Sequence, residues 1–72
     1  MTRAGSPQRM PEVEIKIADA VRAACVKAAL DAYENARMDG LCQEGAWEVA
    51  VGAMRALDVA RVVQSVGAEE RH

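Results

Sequence analysis

Residues 38–50, "MDGLCQEGAWEVA", separate two alanine-rich segments and combine a turn-forming Asp39–Gly40 pair with Cys42 and Trp47, the only Trp of the chain. The segment before this stretch, residues 12–38, contains neither Gly nor Pro. Its charged and apolar residues separate onto opposite faces at about 100° per residue, which is typical of an amphipathic α-helix. A turn and a second helix after it predict an all-α fold built on an antiparallel two-helix hairpin.

The second helix is predicted over residues 40–66. It is apolar over more than half of its circumference, because valines flank the side that carries its charged residues. One partner helix does not cover so wide an apolar surface, so we expect further burial against another chain. Residues 1–11, which contain both Pro residues, predict a flexible N-terminal tail. Gly67 predicts a helix end followed by a polar C-terminal tail over residues 67–72.

The position of the turn has two interpretations. In the first, the first helix ends near Met38 and Asp39 is the N-cap of the second helix, since Asp is a preferred N-cap residue. In the second, the chain turns at Gly45, and "GAWEVAVGAMRAL" resembles the second helix of a tetratricopeptide repeat. The residues that carry this resemblance are Gly45, Trp47, Ala50, Val51 and Leu57. A stable array needs three or more repeats, for which the chain is too short. The segment therefore predicts a helix–turn–helix element, and the first interpretation is preferred.

The size and composition of the chain predict that it gains stability from a partner. A domain of 72 residues is marginally stable, because it buries only about 60% of the surface that its extended chain exposes. Alanine, the most frequent residue, favours helix but contributes little burial, and the chain has no Phe. We therefore expect a homo-oligomer, most simply a homodimer in which two hairpins form a four-helix bundle, or docking of the hairpin on a larger protein.

Charge and hydropathy argue against several classes of partner. The net charge is −2 and the charged residues of both signs are interspersed. The sequence therefore lacks the basic patch that is typical of nucleic-acid-binding proteins. Nucleic-acid binding would be expected only if a dimer grouped four arginines on one surface, namely Arg22, Arg37, Arg55 and Arg61. No apolar segment approaches the ~20 residues of a membrane span, and residues 1–12 lack the apolar core of a secretory signal. The sequence predicts a cytoplasmic protein without membrane contact.

The residues that could carry chemistry are few and far apart. The only His, His72, is distant from both cysteines, and no nucleophile has a base beside it. We therefore predict no metal site, no cofactor and no enzymatic activity. In an antiparallel hairpin Cys25 and Cys42 are too far apart for a disulfide, and Cys25 lies on an apolar helix face. Cys42, at the start of the second helix, is the candidate reactive thiol of a redox or ligand-binding protein.

The second helix carries the predicted interaction surface. Gly45 and Gly52 are seven residues apart on one helical line, where small residues allow another backbone to approach closely. Trp47 lies at the boundary between the apolar and the charged face, where it either closes the end of the hairpin or anchors an interface, since Trp is enriched in interface hot spots. The predicted interface residues are Gly45, Trp47, Val49, Gly52, Met54, Ala56, Val59 and Val63. These features predict a small non-enzymatic accessory or adaptor protein that stabilises or regulates a partner by protein–protein contact.

Overall fold

The computed structural model describes residues 12–70, and that part of the chain contains three α-helices and no strand. The helices are α1 (Glu12–Met38), α2 (Gln43–Arg55) and α3 (Val59–Glu70). The predicted all-α class is thereby confirmed. The predicted N-terminal tail over residues 1–11 and the end of the predicted C-terminal tail, residues 71–72, lie outside the described residues.

Helix α1 is long because its sequence contains nothing that interrupts helical hydrogen bonding. None of its 27 residues is Gly or Pro. Glu12 and Glu14 lie in the first turn and Arg37 lies in the last turn. Each of these charges interacts favourably with the nearer end of the helix dipole. The helix ends at Met38, as the first interpretation of the sequence predicts.

The first corner, residues 39–42, ends α1 with a Schellman motif. The amide of Leu41 donates to the carbonyl of Ala36, and the amide of Gly40 donates to the carbonyl of Arg37, each with an N–O distance of 3.0 Å. Gly40 has a φ of 98°, a left-handed conformation that residues with a Cβ rarely adopt. Gly40 is therefore the residue that stops α1 while its last carbonyls remain hydrogen-bonded.

Cys42, and not Asp39, is the N-cap of α2. Its backbone is extended, with φ −71° and ψ 171°, and its Sγ accepts a hydrogen bond from the amide of Gly45 at 3.4 Å. The predicted Asp39 cap is wrong because Asp39 closes the last turn of α1, where its amide donates to the carbonyl of Asn35 at 3.0 Å. Since α2 starts at Gln43, Gly45 lies in its first turn, and the alternative turn at Gly45 is wrong as well.

The predicted single helix over residues 40–66 is interrupted at a second corner, residues 56–58. Ala56 ends α2 with φ −88° and ψ −1°. Asp58 then caps the N-terminus of α3. Its Oδ1 accepts a hydrogen bond from the amide of Arg61 at 3.2 Å, which is the geometry of an N-cap. The prediction of one helix is corrected to two, because this local side-chain bond competes with continuation of the helix.

Helix α3 also continues beyond its predicted end. The sequence predicts that Gly67 ends the helix and begins a polar tail over residues 67–72, whereas α3 extends through Gly67 to Glu70. A glycine ends a helix when it adopts a positive φ. Among the described residues Gly40 is the glycine that does so, and Gly67 keeps a helical backbone at a cost of roughly 1 kcal/mol in helix propensity.

Small residues make the contact between the helices. Helix α1 packs against both α2 and α3, and the buried residues of the described part are Ala36, Ala46, Ala50 and Val66. The Cα atoms of the three helices lie within a slab 13 Å thick. This is a single layer, since one helix with its side chains is about 10 Å across. Large apolar side chains can be only partly covered within such a layer.

Candidate interaction surface

Trp47 of α2 is 58% exposed and lines two surface depressions. One depression is formed with Tyr33 of α1 and with the start of α2. The other, which we call the α2 hollow, is lined by Trp47, Glu48, Val51, Gly52 and Arg55. Two residues of the predicted interface, Trp47 and Gly52, therefore line the same concave surface.

The two glycines of the predicted groove have different surroundings. A Cβ added at Gly52 would meet nothing within 4 Å beyond its chain neighbours and the backbone of its own helix, so this position is open space. A Cβ added at Gly45 would lie 3.5 Å from Cδ2 of Leu41 and 3.7 Å from Sγ of Cys42. The first corner therefore covers Gly45, and the open part of the groove is the part around Gly52.

The other predicted interface residues lie on two separate helices. Val49 of α2 is exposed, and so are Val59 and Val63 of α3. Met54 is half-buried, and Ala56 is the exposed C-cap residue of α2. The sequence predicts that these residues lie on one continuous helix, whereas the second corner separates α2 from α3.

A second apolar surface, which the sequence interpretation misses, lies on α1. Ala23, Val26, Leu30 and Tyr33 follow one another at spacings of three and four residues, so they share one face of the helix. Val26 and Leu30 are 52% and 57% exposed, and Tyr33 is half-buried beside Trp47. We call these four residues the α1 stripe. Its spacing is readable from the sequence, but Leu30 stands among charged residues that predict a solvated face.

Two ion pairs adjoin the α1 stripe. Nη2 of Arg22 donates to Oδ1 of Asp19 at 2.6 Å, and Nζ of Lys27 donates to Oδ2 of Asp31 at 2.7 Å. All four residues line a shallow depression together with three residues of the stripe, Ala23, Val26 and Leu30. The hydrogen bond to Asp31, reinforced by the carboxylate charge, raises the pKa of Lys27 above its ordinary value of 10.5. Both pairs are exposed, so they contribute little to stability and mainly set the charge pattern of this face.

The residue types that bind metals or carry thiols are scattered over the described helices. No group of three or more His, Cys, Asp or Glu side chains among them could hold a metal ion. Both cysteines are free; Cys25 is half-buried in α1 and Cys42 is exposed at the start of α2. The bond from the Gly45 amide to Sγ of Cys42 gives this thiol a structural role as a cap. No helix within residues 12–70 is long and apolar enough to cross a membrane.

The candidate interaction surface therefore has three parts. These are the α2 hollow, the depression between Tyr33 and Trp47, and the α1 stripe. Trp47 lines the first two, and Tyr33 joins the second to the third. Each part combines at least one large apolar side chain with polar or charged residues. Comparison of the chain with protein-family models, with curated proteins and with solved structures finds no match.

Proposed function

We propose that this chain is a small non-enzymatic accessory or adaptor protein, which stabilises or regulates a larger partner or assembly by protein–protein contact. One observation carries the proposal: large apolar side chains such as Trp47 and Leu30 are more than half exposed, while the buried residues of the described part are three alanines and one valine. Extended exposed apolar surface is typical of interaction sites. We place its action in the cytoplasm, where free thiols stay reduced.

In this proposal α1 and α2 form an antiparallel hairpin, which a further pair of helices completes as a four-helix bundle. The short first corner and the packing of α2 against α1 support the hairpin. The further pair comes from a second copy of the chain, as a homodimer, or from a larger protein on which the hairpin docks. Either one would cover the large apolar side chains that a single layer of helices leaves exposed.

The α2 hollow is the proposed contact with the larger partner. Trp47 and Arg55 both line it, and Trp and Arg are residue types that dominate interface energetics. Gly52 lies between them and weakens the helix by about 1 kcal/mol relative to Ala. The open space around Gly52 provides no reason within the chain for a glycine at this position. A closely approaching partner would provide that reason.

The Gly52→Leu variant tests the α2 hollow. The added side chain fills the hollow, but its Cβ meets no steric conflict within the chain, so we expect an unchanged helical circular-dichroism spectrum. Tagged full-length chain is used to capture the partner, and the co-purifying proteins are identified by mass. Loss of a hot-spot contact should reduce the captured partner by roughly tenfold or more.

The Gly52→Ala variant is the matched control for this experiment, because it adds only a Cβ in open space. We expect it to retain the partner and to be more stable by about 1 kcal/mol, the difference in helix propensity between Gly and Ala. Capture of the same co-purifying proteins in the same amounts by Gly52→Leu would contradict the proposed contact.

A thiol-based redox or ligand-binding role for Cys42 is the alternative. The observation that favours it is the exposure of this thiol at the N-terminus of α2. The Cys25→Ala variant isolates Cys42, and its rate of reaction with a disulfide reagent at pH 7 is compared with that of a free model thiol. A much faster reaction supports the alternative, because reactive thiols are those with enhanced thiolate character. A rate no faster than the model thiol argues against it.

A further inference from the structure

We propose that a second copy of the chain covers the α1 stripe, with the two α1 helices antiparallel about a two-fold axis at the level of Ala28. This inference rests on the proposed function, for which it specifies one partner and one face. The face differs from the α2 hollow, since the stripe residues Ala23, Val26 and Leu30 line a depression on α1 alone. The two surfaces can therefore be tested separately.

The α1 stripe is complementary to itself in size when the helices are antiparallel. With the axis at the level of Ala28, Val26 of one copy faces Leu30 of the other, and Ala23 of one copy faces Tyr33 of the other. A small residue then meets a large one at each end of the stripe, which is how facing helices fill the space between them. The two-fold axis makes each of these contacts twice.

The charges beyond the stripe are complementary in the same register. Asp19 and Arg37 are about five helical turns apart, so they lie on the same side of α1 as the stripe. Their midpoint is again Ala28, so Asp19 of one copy faces Arg37 of the other at both ends of the contact. A parallel arrangement would instead place two Asp19 side chains together and two Arg37 side chains together, which is repulsive.

Both side chains can make this contact and keep the bonds that they already have. Oδ1 of Asp19 accepts from Arg22 at 2.6 Å, and a carboxylate has a second oxygen that can accept from another guanidinium. Nη1 of Arg37 donates to the carbonyl of Leu41 at 3.2 Å, and a guanidinium carries five N–H donors. Asp19 and Arg37 are both exposed. The dimer would thus contain a chain of charged hydrogen bonds at each end.

These features identify the occupant of the stripe as a second copy. A two-fold interface requires one patch of surface that is complementary to itself. The apolar pair, the size-matched pair and the charged pair meet this requirement with one common midpoint. Tyr33 also brings Trp47 to the edge of the same contact, because both line the depression between α1 and α2.

Disulfide cross-linking of the full-length chain tests the register. The background carries Cys25→Ala and Cys42→Ser, so that Asp19→Cys and Arg37→Cys introduce the only thiols. These two positions are about 27 Å apart along α1 and cannot form a bond within one chain. We expect oxidation to give a covalent dimer, measured by mass under non-reducing conditions.

The Lys16→Cys/Glu34→Cys variant in the same background is the matched control. Its two positions have the same spacing along α1, but their midpoint lies at the level of Cys25, so they do not face each other in the proposed dimer. We expect roughly tenfold less covalent dimer than from the variant at positions 19 and 37, since a disulfide needs close Cα atoms. Helical circular-dichroism spectra establish that both variants are folded before they are oxidised.

Charge reversal provides a second readout that needs no introduced thiol. Asp19→Arg places two arginines together at each end of the dimer, and sedimentation equilibrium should give a dissociation constant raised roughly tenfold. Adding Arg37→Asp to the same chain restores opposite charges and should restore the dissociation constant. A merely local effect of Asp19 on α1 would not be reversed by a change at Arg37.

The outcomes separate this inference from the proposed function. A chain that is monomeric by light scattering at every concentration overturns the inference, and so does a covalent dimer from the control variant but not from the variant at positions 19 and 37. Neither result bears on capture of a larger partner through the α2 hollow. That proposal fails only if Gly52→Leu leaves the captured partner unchanged.

Discussion

The first corner, residues 39–42, and the second corner, residues 56–58, each end one helix and begin the next, but only the first contains a glycine. At the first corner Gly40 has a φ of 98°, which other residues rarely adopt. At the second corner Ala56 has φ −88° and ψ −1°, a negative φ that does not require glycine. There the start of the next helix depends on the side chain of Asp58.

This difference predicts how each corner responds to substitution. Loss of the glycine at the first corner places strain in the folded chain itself. Loss of the cap at the second corner instead allows α2 and α3 to join, because residues 55–62, "RALDVARV", contain neither Gly nor Pro. The packing of α3 against α1, where Val66 is 8% exposed, opposes that fusion. The first corner is therefore set by the backbone, and the second by a balance between one cap and one packing contact.

Gly40→Ala should break the first corner and have the largest effect. A residue with a Cβ in the left-handed region costs about 1–2 kcal/mol, and the Schellman hydrogen bonds of Leu41 and Gly40 depend on this conformation. We expect the free energy of unfolding in urea to fall by that amount at a fixed protein concentration. Gly52→Ala, at a glycine without positive φ, is the control and should not destabilise the chain. An unchanged free energy in Gly40→Ala would mean that the corner has another conformation in solution.

Asp58→Ala should break the second corner with a smaller effect. Loss of an N-cap side chain costs about 1 kcal/mol, and the affected donor is the amide of Arg61. We expect a lower free energy of unfolding and faster hydrogen exchange at the amides of Arg61 and Val62. Asp58→Asn retains a capping oxygen and should keep most of the stability. Equal losses in both variants would show that the charge of Asp58, rather than its capping bond, sustains the corner.

The two corners also explain how much of the fold is predictable from the sequence. The end of α1 at Met38 is predictable because Gly40 marks a conformation that needs glycine. The N-cap of α2 is not predictable from the sequence, because Asp is preferred over Cys at N-cap positions and Asp39 lies close to Cys42. Only the hydrogen bonds of the first corner assign Asp39 to α1. Asp58 does not by itself predict the end of a helix, because an Asp also fits a solvated position on a continuous helix.

The candidate site divides in the same way. Trp47 and Gly52 are unusual residues for an alanine-rich helix, so the sequence identifies them, and they line one hollow. The α1 stripe is not identified because Leu30 stands among charged neighbours, and its exposure of 57% becomes apparent only when the positions of α2 and α3 are known. An unusual residue type can thus be identified from the sequence as a candidate for interaction. Whether a helix face is exposed also depends on where the neighbouring helices pack.

Cys42→Ser should stabilise the first corner slightly. Serine is a preferred N-cap residue, and its hydroxyl is a stronger acceptor for the amide of Gly45 than the thiol that now caps α2 at 3.4 Å. We expect the free energy of unfolding to rise by up to about 1 kcal/mol, which would strengthen the first corner relative to the second. Cys25→Ser is the control, because that side chain is half-buried in α1, and a hydroxyl there should destabilise the chain.

A Cys42→Ser variant that is more stable and still captures the partner would show that partner capture does not require the thiol. If this variant is equally folded but no longer captures the partner, the cap cannot be the reason, because serine provides it. The thiol itself would then be required, and the contact through the α2 hollow would have to include the first corner. The same substitution therefore measures the strength of the corner and shows whether partner capture requires the thiol.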